Sequence, residues 1–246
     1  MATSPYLAMT AAEYHGVPSL PSRVAWMACH FSPYGLGISN IPDQLPEDSL
    51  LILSDVIPIH GHDPQIIAGQ LKTCIDALVC RALLLDFQRT PSPPTQELAD
   101  CLIRSIPCPV VVSQPFADGR NCPVFLPPCP PYIPLSEHVA PWEGREVWLE
   151  LSYSHTNILL TSDGTEITTS TDTIPTGSGL ADPNLHCHYL THVQPEQVAF
   201  QLWRTDDDLK MLMEKSRALG IQHHVGLYQE LISSPRQSSP DGSVWA

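Results

Sequence analysis

"ALLLDFQR", residues 82–89, decides how the rest of the chain reads. Ala82, Leu83, Leu84 and Leu85 form a continuous apolar run, the pattern of a strand buried on both faces in a parallel sheet covered by helices. The run stops at Asp86, Phe87 and Gln88, so polar side chains stand where the strand leaves the core. In α/β barrels the C-terminal strand ends carry the chemistry.

Strands of the same kind lie on either side. "VAWMACHF" (24–31) and "LLIL" (50–53) precede it; "PVVVS" (109–113), "CPVFL" (122–126), "EVWLEL" (146–151) and "HHVGLY" (223–228) follow. Between them lie helix signals. Asp63 before Pro64 predicts a helix start, because the carboxylate can accept from free backbone amides and proline suits the first helical position. Ile67, Leu71, Cys74 or Ile75, and Leu78 then recur at helical spacing. Ser92, Pro93 and Pro94 open a second helix carrying Leu98, Leu102 and Ile106. Residues 1–22 show little pattern. About seven buried strands alternating with helices, one short of the eight that complete such a barrel, predict a (β/α)8 TIM-like barrel, complete or incomplete, within one domain spanning 1–231.

From about 150 to 200 the apolar pattern alternates, with "DG" at Asp163 and Gly164 as a two-residue turn, which predicts a small antiparallel hairpin insertion near the C-terminus. Thr205 then caps a helix with Asp206, Asp207 and Asp208 in its first turn and Leu209, Leu212 or Met213, Ser216 and Leu219 on its inner face, and Gly220 ends it. Residues 232–246 read as a disordered tail.

The 246 residues carry 12 Lys and Arg against 26 Asp and Glu, a formal charge of −14 that would repel phosphate backbones and anionic lipid. The reading is therefore no nucleic acid and no membrane partner. No basic, apolar leader or membrane-length apolar stretch is seen, which points to a cytoplasmic protein. The eight cysteines include no C-x-x-C and are expected as buried free thiols. No phosphate-cradling glycine motif is present, so no cofactor is expected.

Two stretches resemble glycoside hydrolase family 18, the chitinase-like barrels. "ALLLDFQ" is similar to that family's catalytic strand, in which alternating aspartates end in Asp, an aromatic residue and a catalytic Glu. Residues 196–231, "EQVAFQLWRTDDDLKMLMEKSRALGIQHHVGLYQEL", resemble the end of the related spore-cortex hydrolases. Asp86 and Phe87 match the motif; Arg81 and Leu84 stand where further aspartates would be, and Gln88 where the acid would be. The resemblance implies a mechanism in which that acid protonates the glycosidic oxygen and the substrate's N-acetyl group attacks with help from the neighbouring Asp, an exception to the two-carboxylate scheme. An amide cannot deliver a proton, and loss of a general acid removes roughly 10²–10⁴-fold in rate. A retired catalytic strand that still binds a glycan or glycopeptide is the leading expectation.

Asp86 and Gln88, two apart, share one side of the strand. Glu230, after the last strand, is the best-placed replacement acid, with Glu150 and Asp55 as further carboxylates for an active hydrolase. His30, Asp55, Gln114 and Glu150 sit at or near other strand ends and are candidate ligand contacts, as is Tyr34 in the loop "FSPYGLG" (31–37). "HGHD" (60–63) and His186 with His188 offer metal-type donors, but donor identity without geometry assigns no metal. The tryptophans Trp26, Trp142, Trp148 and Trp203 are more simply core than sugar platforms. A protein-interaction scaffold needs no pocket and is the remaining alternative.

Overall fold

The computed structural model describes residues 4–32, 35–38, 41–57, 62–153, 155–170 and 179–233. The chain divides into two compact units, one made from the described parts of Met1–Pro127, Gly144–Glu150 and His223–Ala246, the other from Pro128–Glu143 and Leu151–Gln222.

The first unit is built on β1 (Tyr6–Met9), α1 (Ala11–Gly16), β2 (Val24–Ser32), β3 (Gly35–Ile38), β4 (Leu50–Ser54), α2 (Pro64–Leu78), β5 (Ala82–Asp86), α3 (Pro93–Ser105), β6 (Val110–Ser113), β7 (Val124–Leu126) and β8 (Val147–Leu151). In the second unit, α4 (Leu135–Val139) is followed by β9 (His155–Thr161), β10 (Gly164–Ser170), β11 (Leu180–Asp182), β12 (Cys187–Gln194), β13 (Gln197–Trp203) and α5 (Asp206–Ala218). The chain then returns to the first unit with β14 (His223–Leu227).

Strands pair in the order β1, β2, β4, β5, β6, β7, β8, β14 and back to β1, closing an eight-stranded barrel, with β3 hydrogen-bonded antiparallel along β2. The sequence expectation of a TIM-like α/β barrel therefore holds, and the barrel is complete. The unforeseen eighth strand is β1, "YLAM", only four residues long and wholly buried. Its follower α1 carries a sequence signal: Thr10 Oγ1 accepts from the Glu13 amide while Glu13 reaches back to the Thr10 amide at 2.7 Å, a capping box.

Alternate residues of the strands fill the barrel axis. Tyr6 and Ala8, Leu50 and Ile52, Ala82 and Leu84, Val111, Phe125, Trp148 and Val225 form one buried cluster. At the N-terminal end Tyr6 stacks on Trp148 at 5.6 Å and Trp148 on His223 at 4.2 Å, while the Arg23 guanidinium lies 4.2 Å over the Tyr6 ring. Arg23 and Arg81 both pair with Asp48 there. Outward-facing strand residues meet the helices. The anticipated stripe on α2 is buried at Ile67, Leu71, Cys74, Ile75 and Leu78, and Asp63 caps it by accepting from the Gln65 amide at 2.8 Å. Six of the eight cysteines are buried free thiols, and Cys108 and Cys122 are half-buried.

The second unit contains a five-stranded antiparallel sheet, ordered β10, β9, β13, β12, β11, larger than a hairpin. Its first turn shifts by one from the sequence reading. Gly164 pairs with Thr161, so Ser162 and Asp163 form the loop, and glycine absorbs φ +144° at the first strand position. Thr205 caps α5 as expected, and Asp208 completes the box while also accepting from His188 Nδ1 at 2.7 Å. Leu209, Leu212, Met213 and Ser216 are buried; Leu219 is 42% exposed, because it lies past the last helical turn rather than on the inner face. Arg204, 1% exposed, donates to the carbonyls of Cys129, Pro130, Leu185 and His186, drawing two distant segments of this unit together. The anticipated C-terminal tail lies outside the described residues from 234 onward.

Candidate functional site at the barrel mouth

Strand register places the site. Along β5, Ala82 and Leu84 point to the barrel axis, and the two-residue period carries Asp86 to the same side at the C-terminal end. Along β8 the same period carries Glu150 inward after Trp148. Asp86 and Glu150 both line a cavity of about 40 Å³ walled by Ala8, Met27, Ile52 and Leu84 on one part of its circumference and Phe125, Val225 and Leu227 on the other. This volume holds roughly three waters and no sugar ring, so any larger ligand would sit above it.

Across the neighbouring strands Asp86 stands opposite Ser54, and Ser54 opposite His30, so His30, Ser54 and Asp86 form one row at the mouth. Ser54 is a member that the sequence reading missed. Its signal was the phase of β4: Leu50 and Ile52 face the axis, which makes Ser54, and not Asp55, the next inward position.

Gln88 lies exposed beyond the strand, and its Nε2 donates to Asp86 Oδ1 at 3.2 Å. Asp55 has a different setting. It is 2% exposed and its two carboxylate oxygens accept from the backbone amides of Gln88 and Arg89 at 2.9 and 3.1 Å. Arg89 returns the contact, donating from Nε to the Asp55 carbonyl at 2.8 Å and from Nη2 to the Val56 carbonyl at 2.6 Å. Ser113 adds a third tie, accepting from the Phe87 amide at 3.1 Å and donating to the Leu85 carbonyl at 2.8 Å. The segment after β5 is thus held by hydrogen bonds from two adjoining strands.

The carboxyls at the mouth act on one another. Burial raises the Asp86 carboxyl above its ordinary range; the Gln88 hydrogen bond opposes this and the Asp55 charge adds to it. Glu150 is pushed up to about 8, by burial first, then by the charges of Asp86 and Glu230. A carboxylic acid that keeps its proton at neutral pH therefore sits beside the cavity. Glu230, half-buried in a short π-helix Gln229–Ser233, joins this group electrostatically.

The other candidates fall elsewhere. Gln114 is exposed and opens a 3-10 turn, Gln114–Phe116. Tyr34 and His60 lie outside the described residues. His188 is paired with Asp208 in the second unit, and among the described residues no group of three His, Cys, Asp or Glu side chains is arranged to hold a metal. Trp26, Trp148 and Trp203 are buried core residues, and Trp142 is half-buried.

No protein-family model matches the chain, and no curated protein matches it. Solved structures match by shape. A GH18 chitinase from Cycas revoluta, a double mutant in complex with (GlcNAc)4, is 9% identical with a TM-score of 0.55, over 91% of this chain and 94% of that one. The likeness is one of fold, a closed TIM-like α/β barrel. The C-terminal domain of a putative chitinase from Desulfitobacterium hafniense DCB-2 is 10% identical with a TM-score of 0.52, over 92% of this chain and 94% of its own. The putative sporulation-specific glycosylase ydhD from Bacillus subtilis is 9% identical with a TM-score of 0.52, over 84% and 92%. Among the described residues, no helix is long and apolar enough to cross a membrane.

Proposed function

We propose that the barrel mouth binds a glycan containing N-acetylglucosamine, and that Gln88 leaves it without the acid of the family it resembles. The observation that carries this reading is the Asp86 and Gln88 pair. Asp86 ends an axial strand and Gln88 lies just beyond it, the two hydrogen-bonded to each other above a cavity with room for a few waters, on a segment clamped by Asp55, Arg89 and Ser113. Clamping of this kind holds polar groups in place for a ligand at low entropic cost. Support comes also from the Cycas revoluta chitinase of the same fold, in which a variant with glutamate exchanged for glutamine is in complex with (GlcNAc)4.

The test is a paired assay of wild type and Gln88→Glu, following binding and cleavage of N-acetylglucosamine oligomers. Binding by the wild type with cleavage arising only in the variant is the expected result, with a gain of about 10²-fold or more from the restored acid. Absence of binding by the wild type at millimolar oligomer overturns the reading.

One observation favours a second reading, residual hydrolysis with Glu150 as proton donor: its carboxyl keeps a proton up to about pH 8 beside the ionisable Asp86. Burial raises both carboxyls, and the charge of Asp86 raises Glu150 further, which makes Glu150 the one that keeps a proton to donate. On this reading any wild-type cleavage falls as pH rises through 8 and is lost in Glu150→Gln.

A further inference from the structure

His30 and Gly37 face each other across the hairpin of β2 and β3. The imidazole Nε2, Cε1 and Cδ2 atoms lie 2.9, 3.2 and 3.3 Å from the point where a Cβ on residue 37 would stand. The ring thus fills the space that a side chain at 37 would need, with its Nε2 end against the glycine. Gly37 is not among the glycines with positive φ, so the position asks for missing volume and not for backbone freedom. Any larger residue there would lift the imidazole off β3.

His30 is exposed, whereas Phe31, the next residue and on the other face of the strand, is fully buried. It belongs to the row that continues through Ser54 to Asp86, and so shares the axial side of the sheet with the cavity. Two strand spacings put His30 about 10 Å from Asp86 along that row. A planar ring laid down on a glycine, open to solvent and flanked by hydroxyl, carboxylate and amide groups, has the makeup of a sugar subsite. Its face offers apolar contact to the C–H side of a pyranose, and its neighbours offer hydrogen bonds to hydroxyl and N-acetyl groups.

We propose that His30, seated on Gly37, is a stacking platform for a sugar unit next to the one held at Asp86. This rests on the reading of the barrel mouth as a glycan site. Ser54, between the two, contributes a hydroxyl to the same groove, and Gly37 is a positioning residue that acts only through the ring.

Calorimetric titration of (GlcNAc)4 into wild type, His30→Ala, Gly37→Ala and His30→Trp tests it. Loss of the ring in His30→Ala and its displacement in Gly37→Ala are expected to weaken binding about tenfold, while His30→Trp keeps or strengthens it. Gly37→Ala retains the imidazole, so a loss there reports placement and not merely presence. Far-UV circular dichroism confirms folding of each variant; should Gly37→Ala fail to fold, the contrast between His30→Ala and His30→Trp decides. Wild-type binding that is unchanged in both His30 variants overturns the platform and leaves the glycan reading standing. No wild-type binding overturns both.

Discussion

Glu150→Gln stabilises the protein by an amount that grows with pH. In the fold the carboxyl holds its proton to about pH 8, against an ordinary 4.5, because ionisation at the cavity would place a poorly hydrated charge beside those of Asp86 and Glu230. Between those two values the folded chain binds a proton that the unfolded chain has released, so folding stability falls as pH rises, at about 1.4 kcal/mol for each pH unit. Below pH 4.5 both states are protonated and the residue costs nothing. At pH 5 the accumulated cost is under about 1 kcal/mol, at pH 7 about 3 kcal/mol, and above pH 8 it levels at about 5 kcal/mol, once both states are ionised. The amide variant has nearly the same shape and no charge to desolvate. Urea unfolding of wild type and variant at pH 5, 7 and 8.5 reads the difference from the midpoints, with unchanged slopes as the check on two-state behaviour. The expected outcome is near-equal stability at pH 5 and a more stable variant at pH 7 by about 3 kcal/mol. Equal midpoints at all three pH values would refute the argument, since they would mean that Glu150 is solvated and that the cavity does not hold a protonated acid.

Two further changes probe the frame around the site. Asp55→Ala removes the buried carboxylate that accepts from the backbone amides of Gln88 and Arg89, and a loss of about 1–3 kcal/mol is expected in thermal or urea unfolding, with Asp55→Asn in between because one oxygen remains. Val79, 81% exposed, closes α2 with a left-handed backbone at φ 54°, strained for a β-branched residue. Val79→Gly relieves that strain without loss of packing and is expected to raise stability by about 1 kcal/mol in the same assay; a lower midpoint would contradict this.

The barrel was readable because its strands are buried on both faces, and unbroken apolar runs such as Leu50–Leu53 and Ala82–Leu85 have few other uses. The exception, Tyr6–Met9, is too short for its pattern to stand out, and only the capping box at Thr10 and Glu13 marks the element after it. Asp86 and Gln88 were legible as candidate site residues because they end such a run. Asp55 was read in the same way, yet its place depends on the phase of β4. Ser54 takes the axial position, and Asp55, one residue on, binds backbone amides instead. Seating of His30 on Gly37 depends on the pairing of β2 with β3, which a loop rich in proline and glycine does not declare.

What the amino-acid sequence determined by itself is the local part: which runs become strands, where Asp63 and Thr205 start helices, and that the polar residues ending the strand at 82–86 include an amide at residue 88. These follow from near-neighbour periodicity and from side-chain chemistry at single positions. Only the tertiary structure decided that Glu150 keeps a proton, because that property belongs to its burial and to charges at Asp86 and Glu230, which are distant in the chain. It likewise decided which polar residues face the axis, since closing eight strands sets the register, and one step of register turns every side chain to the other face.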